Sequence, residues 1–150
     1  VLSTIWQGAP TLLVSLHGRA FPTDDEWDHH LDRARRVREL IGDTAVFRVL
    51  VFSDGGGPTS GQRARLIQRA RGQRARGALV TDSRLAAGIG TVMSLTYPGV
   101  KIFAPRDVAR ALAHLEVPQA GLASLLAHIR TANAELHLES IAETLATLAT

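Results

Sequence analysis

The chain has 150 residues, 45% of them apolar, and carries a net charge of +3 from sixteen Arg and one Lys against fourteen acids. That size suits one domain able to bury about two-thirds of its unfolded surface, and so small an excess of charge with few aromatic residues makes a nucleic-acid partner a poor expectation. Cysteine is absent, which excludes disulfides, a thiol nucleophile and zinc–thiolate sites; no apolar run reaches the ~20 residues that cross a bilayer and no signal peptide is visible, so the expectation is a cytoplasmic protein that does not insert into membranes.

Ser3–Gln7 and Thr11–His17 flank a Gly8-Ala9-Pro10 turn and read as a hairpin at one edge of a sheet. Thr23 and Glu26 have the spacing of a capping box, opening a helix that should run to Ile41, with Gly42 as terminator. Trp27, Leu31, Ala34, Val37, Leu40 and Ile41 make its apolar stripe. Acids crowd its first turns and arginines its later ones, which complements the helix dipole and calls for no ligand. His29 and His30 lie among Asp25, Asp28 and Asp32. Adjacent helical side chains point about 100° apart and do not easily share a metal, so both are expected on a solvated acidic surface.

Ala45–Phe52 is a near-continuous apolar run followed by Ser53-Asp54-Gly55-Gly56-Gly57. It reads as the central strand of a parallel sheet, with its carboxyl end where open α/β sheets place their sites. Thr59 or Ser60 caps a second helix to about Arg71. Gly72 and Gly77 bracket a basic turn, Ala78–Thr81 is the next strand, and Asp82-Ser83 caps a helix over Arg84–Leu95. Gly88 and Gly90 inside that helix point to close packing. Val100–Ala104 is a last strand, Pro105 opens a fourth helix, and Val117-Pro118 ends it. Gln119–Thr150 reads as one or two helices with a broken apolar stripe. Alternating strands and helices imply an α/β fold: a mainly parallel sheet of about five strands, the N-terminal hairpin at one edge, crossover helices, and a C-terminal helical extension. Residues 1–117 form the α/β domain and 118–150 the extension, packed on that domain or on a partner.

The chemistry is less legible. Gly56 and Gly61 have P-loop spacing, but Gln62-Arg63 follow where Lys-Ser/Thr is required. No catalytic set, metal site or cofactor motif emerges. Ser53, Asp54, Gly55, Gly56, Gly57, Arg63, Asp82 and Ser83 gather at strand ends and helix starts, and are the candidates for interaction or anion binding. His17 ends an early strand and is a further candidate should a small enzyme use the same crevice with Asp54 and Asp82. Arg63, Arg65, Arg69, Arg71, Arg74 and Arg76 form an acid-free basic stretch expected to be a solvated face.

The element order, and Phe47–Gly61 with its Pro58-Thr59-Ser60-Gly61 segment, resemble the STAS family of anti-sigma-factor antagonist domains, and more loosely the bacterial STAS/SEC14-like proteins. In that family a strand leads into Asp-Ser-Ser-Gly at a helix start, where the first Ser is phosphorylated. Thr59 falls on that position; Pro58 replaces the Asp and the triple glycine departs from the pattern. The resemblance implies a non-enzymatic bacterial regulatory module that docks a protein partner or self-associates, switched by phosphate at Thr59 or Ser60. The other expectations are a domain binding a small anionic or lipidic ligand at the strand carboxyl ends, and a small enzyme in the same place.

Overall fold

The computed structural model describes residues 1–70 and 72–150. Its five strands are β1 (Leu2–Trp6), β2 (Leu12–His17), β3 (Phe47–Ser53), β4 (Ala75–Val80) and β5 (Val100–Phe103). They lie in the order β1-β2-β3-β4-β5, with β1 antiparallel to β2 and every later pair parallel. The expected edge hairpin and mainly parallel α/β sheet are therefore present. The helices are α1 (Asp24–Ile41), α2 (Ser60–Arg69), α3 (Arg84–Thr96), α4 (Val108–His114), α5 (Leu122–Asn133) and α6 (Glu139–Ala149). The second helix's expected end at Arg71 lies outside the described residues.

Sequential strand order decides where the helices go. Each crossover moves one strand in the same direction with the same hand, so α1, α2 and α3 all fall on one face. The other face is left to the last three helices. There Leu12, Val14, Leu16, Leu50, Phe52, Ala78 and Val80 form one buried cluster with residues of α4, with Leu125, Ile129 and Ala132 of α5, and with Ile141 of α6. The segment after Val117 thus fills the larger core. Period-two alternation sends the odd-numbered partners, Leu13, Ser15, His17, Val49, Val51, Ser53 and Leu79, toward α1–α3.

Local details refine the sequence reading. Thr23 and Glu26 form the expected capping box, and Gly42 at φ 85° closes α1. Leu40 is exposed, and His30 takes a place on the buried stripe beside Trp27 and Leu31; His29 stays exposed. The solvated pair expected there is therefore split. His30 follows Trp27 at i+3 and stacks on it with ring centroids 4.4 Å apart. Gly77 does not end a turn: it sits inside β4, paired with Val49 and Val100. A Cβ at that position would lie 3.1 Å from Val100 and 3.3 Å from Val49, so glycine lets the flanking valines close over the strand. Three arginines of the basic stretch are engaged: Arg65 pairs with Asp28, Arg76 with Glu116, and Arg63 donates to the Pro58 carbonyl; Arg69 and Arg74 are exposed, as expected.

Candidate functional site

The strand carboxyl ends are knitted together by their own polar groups. Ser53 Oγ donates to the Gly56 carbonyl at 2.6 Å and accepts from Gly55 N–H at 3.0 Å. Thr81 Oγ1 donates to the Ser53 carbonyl and accepts from Ser83 N–H. Gly56 N–H donates to the Gly18 carbonyl at 2.7 Å, and a side chain at Gly56 would run into the Gly18 and Ala20 carbonyls. That explains Gly56, where the loop is pressed against backbone and cannot carry a Cβ, while Gly55 is held at φ 138°. Ser83 Oγ accepts from Ala86 N–H as the α3 cap.

Asp54 has a partner distant in sequence. Its two carboxylate oxygens accept from Glu139 N–H at 2.7 Å and Ser140 N–H at 3.0 Å, at the start of α6. A carboxylate there satisfies free amide groups and favours the positive end of the helix. Asp82 is exposed. Neither Asp54 nor Asp82 lines the cavity that His17 lines, so the geometry does not bring these three together. Thr59 and Ser60 are exposed at the start of α2; Thr59 Oγ1 accepts from Gln62 N–H, and Gln62 Oε1 accepts from Thr59 N–H.

Between the sheet and α1–α3 runs an apolar crevice with two chambers. The inner one, about 140 Å³, reaches from Val49 and Val51 to His17, Ser53 and Gly57. The outer one, about 330 Å³, opens between α1 and α2 past Arg38, Arg69 and Tyr97. Ala34, Phe47, Val49, Leu66, Met93 and Val100 are walls of both. The sequence of α2 explains the space. Arginine and glutamine dominate Ser-Gly-Gln-Arg-Ala-Arg-Leu-Ile-Gln-Arg, and its one fully buried residue is Gln62. Val49 and Val51 of the central strand consequently stay partly uncovered. On the far side Gly90 lets α3 approach closely, since a Cβ there would lie 2.7 Å from Leu79.

Gln62 fixes the start of α2. Its Nε2 donates to the Pro22 carbonyl and to Asp24, and its own carbonyl accepts from Trp27 Nε1. Sequence reasoning passed over Gln62, Trp27 and His30 as site residues. The signal was a polar residue at the N3 position of a helix, facing the capped start of another.

The inner chamber holds two buried imidazoles. His30 Nδ1 is 2.8 Å from Ser3 Oγ and 3.3 Å from Ser15 Oγ. His17 Nδ1 is buried with no hydrogen-bond partner among the described residues. Burial lowers the pKa of both, to about 3 for His17, with a smaller push from His30, and to about 4 for His30. Both are neutral at physiological pH. Among the described residues no Arg, Lys, Asp or Glu lines this chamber.

Among the described residues no group of three His, Asp or Glu side chains is placed to hold a metal ion, and no helix is long and apolar enough to cross a membrane. Searches against family models, curated proteins and solved structures returned no match to this chain.

Proposed function

We propose that this chain is a non-enzymatic binding module for a small apolar, lipid-like ligand, held between the sheet and α1–α3 with α2 as its cover. The observation that carries this is the crevice itself: two joined chambers with apolar walls running under a helix too polar to fill them. Ligand sites are typically preformed, mostly apolar concavities with a few polar groups. The strand-end groups favour an apolar ligand over an anion, because Ser53, Asp54 and Ser83 already bond within the fold.

A second reading follows from Thr59 and Ser60, exposed at the start of the covering helix. In a STAS-like regulatory module, phosphate there would break the Thr59–Gln62 capping box and change how α2 sits and what docks on it. One experiment addresses both readings: mass spectrometry of the full chain taken gently from cells, under native and denaturing conditions. A noncovalent small-molecule adduct that disappears in Val49→Phe, which narrows both chambers, supports the first. A covalent phosphate on Thr59 or Ser60 supports the second. A chain with neither adduct, in which apolar probes also fail to bind, defeats the binding reading.

A further inference from the structure

Resting on the crevice reading, one feature of the inner chamber narrows the ligand class. His17 projects from the end of β2 into a chamber whose other walls are almost wholly apolar, and it is only 4% exposed. Its neighbour His30 has two serine hydroxyls within reach, whereas His17 Nδ1 has none among the described residues. A buried polar nitrogen left without a partner is destabilising, and such orphans in native folds call for an explanation. The nearest aromatic group, Trp27, gives its indole N–H to Gln62 and offers no partner at a ring distance of 6.4 Å.

We infer that the inner chamber takes the hydroxyl end of a neutral apolar molecule, an alcohol, hydrogen-bonded to His17 Nδ1, with the apolar remainder lying over Val51 and Val49 toward the outer chamber. Charge selects against the alternative heads. A carboxylate or phosphate would be buried with no cation among the described residues of the chamber wall, which is strongly unfavourable. A plain hydrocarbon would leave the nitrogen unsatisfied. A hydroxyl can donate to Nδ1 or accept from it, so it suits either tautomer of the imidazole. Size agrees: an apolar cavity of roughly 150 Å³ accommodates a benzene ring, and the inner chamber holds about 140 Å³ before it opens into the outer one.

The test titrates the full chain at neutral pH with 1-octanol, n-octane and octanoate, following Trp27 fluorescence and the ring nitrogen resonances of His17. The expected result is binding of 1-octanol about tenfold tighter than n-octane, in line with one hydrogen bond, weaker binding of octanoate, and a shift at His17 Nδ1. In His17→Phe the octane affinity should survive while the advantage of the alcohol disappears. Should that variant not fold, the His17 resonance in the unaltered chain still decides. Equal affinity for alcohol and alkane with an unmoved His17 signal overturns the inference and leaves the crevice reading standing. Tightest binding of octanoate overturns it by placing the head at the arginine-lined mouth. Failure of all three probes removes the crevice reading along with it.

Discussion

At the residue scale, Ser53, Gln62 and His30 on the α1–α3 side bond within the fold, whereas among the described residues His17 Nδ1 and Gln73 Nε2 are buried without a partner. The neutral imidazoles of His17 and His30 have a consequence for acid stability. Burial holds their folded pKa values near 3 and 4, against 6.5 unperturbed. The unfolded chain therefore binds more protons than the native one below about pH 6.5. Their contribution is fully present above that pH and is lost progressively toward pH 4 and below, at up to about 1.4 kcal/mol per pH unit for each imidazole. Urea midpoints should fall between about pH 7 and about pH 5, with a shallower fall in His30→Gln. A midpoint that is flat over this interval, or equally steep in the variant, contradicts the buried neutral pair. His30 could have been read as buried from the sequence, because it sits three residues after Trp27 on the apolar stripe; its acidic neighbours concealed this.

At the element scale, α2 differs from the helices around it. Its first turn is tied down by the Thr59–Gln62 capping box and by the bonds of Gln62 to Pro22 and Asp24. Beyond that turn it presents Leu66, only partly buried, over the crevice. A helix with few buried contacts should open locally at low free energy. Amide hydrogen exchange in its second half should therefore be faster than in the middle of α1, where Leu31 and Val37 are buried, and slower once 1-octanol saturates the chain. Equal protection of α1 and α2 without ligand would rule out a covering role for α2. Capping residues, helix starts and the central strand were legible because they depend on local chemistry. Strand β4 beginning at Ala75 was not, because Arg74, Arg76 and Gly77 look like a basic turn until Val49 and Val100 are placed beside them.

At the scale of the whole molecule, strand order explains what a linear reading could not weigh. With all three crossover helices on one face, a sheet this apolar on its other face needs a second layer. The chain supplies that layer last. Leu125, Ile129 and Ile141 are almost completely buried against Leu12, Val14, Leu50 and Phe52. Asp54, at the carboxyl end of β3, caps α6 and ties that layer to the loop beside the crevice. Each fully buried aliphatic side chain contributes about 1.5–3 kcal/mol, and whole domains are stable by only about 5–15 kcal/mol. Deleting residues 118–150 removes several such side chains and uncovers the apolar face of β2 and β3. A chain ending at Val117 should therefore unfold or associate, recognised in light scattering by mass above the monomer and in calorimetry by the loss of a cooperative transition. A monomeric truncation with an unchanged transition would mean that the α/β body carries its own stability and the last two helices serve another surface. Asp54→Ala in the full chain separates the cap from the layer: it should lower stability by about 1 kcal/mol and leave the cooperative transition intact, because the apolar contacts of α5 and α6 remain.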